Sequence, residues 1–250
     1  MIINRQANKQ DMAAVTAVWL AAFPDDTAED CARFLALAPL DTCFVAEVDG
    51  AVVSMLFSIP ATIGGKPFQY IYGAATHPAY RSRGLFASLL QLALETAKCD
   101  GYAGSFLHPA EPSLIAYYAR FGYRPWTYCR RECGRAAGES ALNPIAPTAY
   151  GKRRVLPQNA VVWPQWLLQY AAECGGAFET SEALLLCEKR EDVLYIKEQF
   201  GTVNAAAVCA ALGAVRYERV TESESGEVYT CVLPFSDTVL APPYIGPVFD

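Results

Sequence analysis

Tyr70-Ile-Tyr-Gly-Ala-Ala-Thr-His-Pro-Ala-Tyr-Arg-Ser-Arg-Gly-Leu-Phe-Ala-Ser-Leu-Leu90 is the stretch on which the fold turns. Its aromatic and apolar opening predicts a strand over Phe68–Thr76, stopped by His77-Pro78. A short loop with Arg81, Arg83 and Gly84 follows, and the chain then enters a helix over about Gly84–Lys98. In that helix Leu85, Leu89 and Leu92 share a face and Phe86, Leu90 and Leu94 lie beside them. Such a broad apolar surface has to be buried against a sheet. Strand, loop and helix in this order make an anion site. The first turn of a helix leaves amide N–H groups without intrahelical acceptors, and the helix dipole favours negative charge there. Gly84 takes a Cβ out of the approach to a diphosphate, and two guanidinium groups add attraction and forked contacts. Alone, the same residues also describe a solvated basic turn at a helix start.

Upstream, residues 1–7 read as a short strand. Asn8 and Asp11 start a helix in which Met12, Val15, Val18, Trp19 and Ala22 recur at helical spacing up to Pro24. A second helix is expected from Thr27 to Ala38, before Pro39. Thr42–Val48 and Ala51–Ile59 are strand-like and joined by Asp49-Gly50, a strong hairpin signal; Gly64-Gly65 marks another turn. Downstream, Gly104–Leu107 reads as a buried strand. Pro112–Phe121 reads as a helix with proline in its first turn and Gly122 at its stop.

After about Arg131 the composition changes. Gly134–Gln158, with Pro144, Pro147 and Pro157, reads as a loop, so the expected organisation is a first domain over 1–130, a linker over 131–158 and a small α/β unit over 159–250. That unit should hold a helix near Pro164–Cys174, strands near Ala183–Lys189 and Leu194–Phe200, a helix at Ala205–Leu212 and two strands around Ser225-Gly226. The tail Ala241-Pro-Pro-Tyr-Ile-Gly-Pro reads as extended. A diverged, partial copy of the first unit is one way to read it.

Composition removes several function classes. The 250 residues are 53% hydrophobic and 18% charged, enough apolar side chain to form a core. A net charge of −6 argues against nucleic-acid binding, which needs a basic face. The acid is uneven, with 10 basic and 11 acidic residues in 1–130 against 10 and 15 in 131–250; a cationic substrate or a merely soluble surface would account for it. No apolar run is long enough to span a bilayer, and the N-terminus lacks a secretory profile, so the expected location is the cytoplasm. Nine cysteines without a C-x-x-C pair, and histidines only at His77 and His108, give neither a disulfide framework nor a metal site. The cysteines read as small buried hydrophobes in a reducing compartment.

Thr76-His77-Pro78 followed by Arg81-Ser82-Arg83-Gly84-Leu85-Phe86 resembles the acetyl-coenzyme-A loop of the GNAT acetyltransferase superfamily, [Q/R]-x-x-G-x-[G/A] after a strand ending in V-x-P. Phe86 stands where that family has Gly or Ala, and Ala87 follows. Further on, Tyr117-Tyr118-Ala119-Arg120-Phe121-Gly122-Tyr123 resembles the family's Y-x-x-x-G-[F/Y] segment, in a form most like the Eis-type branch. Together the two motifs cover about residues 1–130. The resemblance implies an α/β (α+β) fold with a mixed, mostly antiparallel sheet flanked by helices. It also implies an N-acetyltransferase that moves an acetyl group from acetyl-CoA to a primary amine in a ternary complex, without a metal. A non-catalytic acyl-CoA-binding or sensor module is the alternative.

The resemblance also implies roles. Cofactor contacts fall to Ala74, Ala75 and Thr76 beside the pantetheine arm and to Arg81, Ser82, Arg83, Gly84, Leu85, Phe86 and Ala87 around the diphosphate. Strand Phe68–Thr76 would part from its neighbour to admit that arm like an added strand, Gly73 marking the distortion. Tyr118 takes the place of the general acid; a phenol with a pKa of about 10 is protonated at pH 7 and can donate to a leaving thiolate. For the general base, His108, Glu111, the terminal carboxylate of Asp250 and an ordered water chain compete, while His77 reads as a loop cap. The acceptor is a small-molecule or peptide amine, not a nucleic acid or a membrane. A homo-oligomer is open, because the second unit would cover the acceptor cleft or form a dimer contact.

Overall fold

The computed structural model describes residues 1–236 and 241–247. They form two compact units: Met1–His108 joined by the described residues from Val232, and Pro109–Cys231 joined by those from Ala241.

The first unit contains β1 (Ile2–Gln6), α1 (Met12–Ala22), α2 (Ala28–Leu37), β2 (Cys43–Val48), β3 (Ala51–Ile63), β4 (Lys66–Thr76), α3 (Leu85–Cys99) and β5 (Gly104–Leu107). Its strands lie in the order β1-β2-β3-β4-β5, antiparallel except for the parallel β4–β5 pair. Local chemistry sets these boundaries. The Thr27 hydroxyl accepts the Asp30 amide at 3.1 Å while the Asp30 carboxylate accepts the Thr27 amide at 3.2 Å, a reciprocal cap on α2 that contributes about 1 kcal/mol. Asp49 and Gly50, with φ of 50° and 87°, make the tight turn between β2 and β3. β3 runs four residues past its expected end, through Pro60. β2 pairs only with Ala51–Phe57, so Pro60 lies where no β2 partner needs its missing N–H.

Pleating sorts β3 and β4 onto two faces. Phe57 and Tyr72 meet Trp19 of α1 and Phe34 of α2, with ring centroids 4.9–6.0 Å apart. On the other face the fully buried Gln69 amide donates to the Ala93 carbonyl of α3 at 3.1 Å and to Ser58 at 2.6 Å. α3 seals that face with Leu85, Leu89, Leu90, Ala93, Leu94 and Ala97. Each buried leucine contributes about 1.5–3 kcal/mol, which holds α3, and so its first turn, fixed against the sheet.

The second unit contains α4 (Pro112–Ala119), β6 (Arg124–Arg135), β7 (Asn143–Ile145), α5 (Pro147–Arg153), β8 (Val161–Val162), α6 (Gln165–Cys174), β9 (Gly176–Glu179), β10 (Ala183–Arg190), β11 (Val193–Gly201), α7 (Ala205–Ala211), β12 (Arg216–Ser223) and the start of β13 (Glu227–Pro234). Its strand order is β13-β6-β12-β11-β10-β9-β7. From β7 to β12 it repeats the first unit's succession of strand, two helices, three-stranded meander, helix and parallel strand. The β7–β9, β9–β10 and β10–β11 pairs are antiparallel and β11–β12 is parallel. Only β8 has no counterpart.

Residues 131–158, read as a linker, carry the end of β6, β7 and α5, and Tyr150 is fully buried. The boundary expected at 130 falls inside β6. Pro147 misled because it sits in the first turn of α5, where a missing N–H costs nothing. Six of the nine cysteines are buried, Cys99 and Cys133 are exposed and Cys174 is intermediate. Among the described residues no helix is long and apolar enough to cross a membrane.

Candidate active site

In the first unit, β4 and β5 pair from Phe68/Gly104 to Ile71/Leu107 and no further, although β4 continues to Thr76. At the point of parting β4 carries a bulge. Ala75 faces Met55 and Tyr72 faces Phe57, so Gly73 and Ala74 together oppose the single residue Leu56. Gly73 has φ of +56°, and a Cβ there would come within 3.2 Å of the Phe57 ring and 3.6 Å of the Trp19 ring. The positive φ calls for glycine, and the nearby Phe57 ring leaves little room for a side chain. The distortion expected from Gly73 is present, and it coincides with the end of β4–β5 pairing.

Among the described residues, β4 beyond the bulge is held by pairing on the β3 side. The Ser54 hydroxyl donates to the Ala75 carbonyl at 2.7 Å and lies 2.8 Å from the Thr76 hydroxyl, and the His77 amide donates to the Val53 carbonyl at 2.9 Å. Alternation along an antiparallel ladder then turns the Thr76 main chain toward the other edge. Its carbonyl there accepts Arg81 Nε at 3.2 Å.

The loop from His77 to Gly84 is shaped by its own contacts. His77 Nδ1 accepts the Ala79 amide at 3.3 Å and caps a short 3₁₀ turn, the role read for it from sequence. Arg83 donates to the Ala79 carbonyl at 3.0 Å and lies over the Tyr80 ring, 5.0 Å from its centroid. Arg81 and Arg83 are exposed, and among the described residues neither pairs with a carboxylate. Ser82 and Gly84 have φ of 62° and 75° on either side of Arg83, which curls the main chain as anion-binding nests do. No side chain caps the N-terminus of α3, and the space where a Gly84 Cβ would stand is open for 4 Å. Leu85 is buried and anchors the first turn, while Phe86 and Ala87 are half-buried. An uncapped helix start, a curled loop and two cations without carboxylate partners suit a diphosphate. These residues fit coenzyme A as a substrate: the loop would hold its diphosphate, and the unpaired edge of β4 would hold its amide-bearing arm.

Trp19 and Asp26 form a further contact beside this strand that has no signature in the sequence. Trp19 touches Phe57, Tyr72 and the space above Gly73, and its indole N–H donates to the Asp26 carboxylate at 2.7 Å. This half-buried carboxylate is thereby tied through one ring to the parted section of β4. Nothing in the spacing of Trp19 and Asp26 distinguishes them from an ordinary helix end.

The remaining candidates divide between the units. His108 ends the first unit, half-buried, one residue past β5. Glu111 is the N-cap residue of α4 and accepts Ser113 Oγ at 3.2 Å. Tyr118 belongs to the second unit, in the last turn of α4, 8% exposed, with the Tyr117 and Tyr123 rings edge-on at 5.5 and 5.8 Å. Burial first, and then the neighbouring Tyr117 and Cys231, push its phenol well above the ordinary tyrosine range. It therefore keeps its proton throughout the physiological range. Gly122, at φ of 91°, ends the segment as a helix stop. Asp250 lies outside the described residues.

Residues 4–126 match the family model of the acetyltransferase (GNAT) domain. Comparison with curated proteins finds no match. Among solved structures the chain is similar to Eis1 from Mycobacterium abscessus (TM-score 0.61, 14% identity, 94% of this chain and 73% of that one). It is also similar to a GCN5-related N-acetyltransferase from Anabaena variabilis (0.65, 14%, 93% and 72%), and to a Pyrococcus horikoshii protein crystallised as a candidate acetyltransferase (0.67, 13%, 99% and 94%). At these identities the likeness is one of fold, and it extends over both units. With the domain match over 4–126 and the parted β4–β5 pair, the chain carries a GNAT acetyltransferase domain.

Proposed function

We propose that the chain is an N-acetyltransferase that passes the acetyl group of acetyl-CoA directly to a primary amine bound beside it. One observation carries the reading: an uncapped helix start with two exposed arginines stands at the end of a strand whose last five residues have no partner in β5. The main chain of Gly84–Ala87 would hold the diphosphate, with Arg81 and Arg83 drawing it in. Ala74 and Thr76 would pair with the pantetheine amides, and a main-chain N–H of Ala74–Thr76 would polarise the thioester carbonyl. Acetyl-CoA supplies the acyl group when bound; the chain supplies orientation and a low-dielectric wall.

The amine nitrogen forms its bond to the acetyl carbon as the carbon–sulfur bond breaks. Tyr118 would give its proton to the departing sulfur, burial keeping the phenol protonated at neutral pH. His108 or Asp250 would take the proton lost by the amine. Asp26, whose carboxylate accepts the Trp19 indole N–H, would lend a negative charge to the binding of a cationic amine. A thiol-release assay with acetyl-CoA across polyamines, aminoglycosides, amino acids and lysine peptides tests the reading. Release that depends on one class supports transfer. Tight coenzyme A binding without release from any class would leave the sensor-module reading in its place.

A further inference from the structure

In the second unit β11 and β12 also pair for only four residues, from Val193/Arg216 to Ile196/Arg219, and then part. A bulge again marks the place, at Lys197, between the Leu186/Glu198 and Cys187/Ile196 pairs. Beside this fork lies the segment Tyr244-Ile-Gly246, and five of its main-chain groups are engaged. The Tyr244 carbonyl accepts the Val161 amide at 2.7 Å, and the Ile245 carbonyl accepts Trp163 Nε1 at 2.8 Å. The Ile245 and Gly246 amides both donate to one oxygen of Glu222, at 2.6 and 3.3 Å, and the Gly246 carbonyl accepts the Tyr229 hydroxyl at 3.1 Å. The side chains are read as well. Ile245 is fully buried, the Tyr244 hydroxyl donates to Glu198 at 3.1 Å, and its ring meets Phe200. Gly246 has φ of +75°, and a Cβ there would stand 2.5 Å from Glu198 Oε1 and 2.8 Å from the Arg154 guanidinium. Glu198 is itself fixed by Arg154, through two bonds of 2.7 and 2.8 Å, and by the Tyr150 hydroxyl. A backbone clasp with one aromatic, one aliphatic and one obligatory glycine position is the chemistry of a peptide-recognition site.

We propose that the slot of the second unit is a peptide-capture site whose ligand is the chain's own segment Tyr244-Ile-Gly246. The tail is taken at the fork where the first unit would take the arm of acyl-CoA, so the chain binds one equivalent of acyl-CoA and not two. That last clause rests on the function proposed above.

The test uses the full chain carrying Ile245→Asp, which expels the tail but leaves the slot, and a labelled synthetic peptide with the sequence of residues 241–250. In fluorescence anisotropy the variant should bind the peptide saturably and one to one. Wild type should bind at least about 10-fold more weakly, because its own tail competes at an effective concentration of roughly millimolar. A peptide carrying Gly246→Ala should not bind. Equal binding to both chains, or full binding of the Gly246→Ala peptide, overturns the proposal. Should Ile245→Asp prevent folding, hydrogen exchange decides. The Ile245 and Gly246 amides should be protected in wild type and exchange about 10-fold faster in Glu222→Gln, and unprotected wild-type amides overturn the proposal. Titration with coenzyme A separates the two readings. Two equivalents contradict the self-occupied slot, whereas none contradicts the function proposed for the first unit and leaves the peptide result standing.

Discussion

Between β4 and α3 the first unit uses eight residues, His77–Gly84, two of them arginine; between β11 and α7 the second uses three, Thr202–Asn204. The strands on either side correspond, and both units part their parallel pair after four residues beside a bulge. At the helix start they diverge. α3 spans fifteen residues and begins at an uncapped glycine, whereas α7 spans seven and begins at Asn204, whose side chain accepts the Ala206 and Ala207 amides at 3.0 and 3.4 Å. In the second unit those amides are already satisfied, and the fork carries the chain's own tail. The comparison teaches that this topology does not by itself specify a cofactor site. Loop length and the identity of one capping residue decide whether a helix start faces a ligand or is closed.

The largest expected effect is on chemistry. Tyr118→Phe keeps the ring packing but removes the proposed proton donor, so kcat should fall by about 10²–10⁴ with coenzyme A affinity unchanged. Steady-state kinetics beside isothermal titration separates the two quantities. Because burial raises the Tyr118 pKa, ionisation of this phenol should bring no loss of rate between pH 7 and 10. A falling limb in that range that disappears in Tyr118→Phe would assign it an ordinary pKa.

Next in size is stability in the second unit. Arg154 and Glu198 are both essentially out of water, and Arg154→Ala leaves a buried carboxylate without its cation, at a cost of about 3–5 kcal/mol. Chemical denaturation should show it. A loss below about 1 kcal/mol would mean that Tyr150 and Tyr244 suffice to satisfy Glu198.

Arg81→Ala with Arg83→Ala should weaken coenzyme A binding about 10- to 100-fold, each exposed contact being worth about 0.5–1.5 kcal/mol. Folding should change by less than about 0.5 kcal/mol, since both side chains are exposed. Asn204→Ala should do the reverse, lowering stability by about 1 kcal/mol through loss of the cap while coenzyme A affinity stays constant. A change in affinity there would erase the contrast between the two helix starts.

Much of this was legible in the residues. Asp49-Gly50, Gly64-Gly65, the Thr27 cap and the leucine face of α3 each carry a local reason for their structure, and their elements lie within a few residues of expectation. The loop from Arg81 to Ala87 was legible for the same reason, as strand, turn glycine and amphipathic helix are consecutive. β6 was not. Its apolar residues Trp126 and Cys129 give way to Arg130-Arg131-Glu132, so no alternation announces a strand; it forms because β12 pairs with it over eight residues. The capture of the tail by Glu222, Trp163 and Tyr229 was also hidden, since residues distant in sequence supply every contact. Local pattern reports local causes. Contacts assembled by topology leave no mark at the positions that make them.

The most direct measurement is a backbone amide NMR titration of the full chain with coenzyme A. Shifts confined to Ala74–Thr76 and Arg83–Ala87, saturating at one equivalent with the Ala205–Ala207 amides unmoved, are the predicted result. Still signals at Arg83–Ala87, or equal shifts at Ala205–Ala207, would contradict the assignment of the ligand to the open helix start of the first unit.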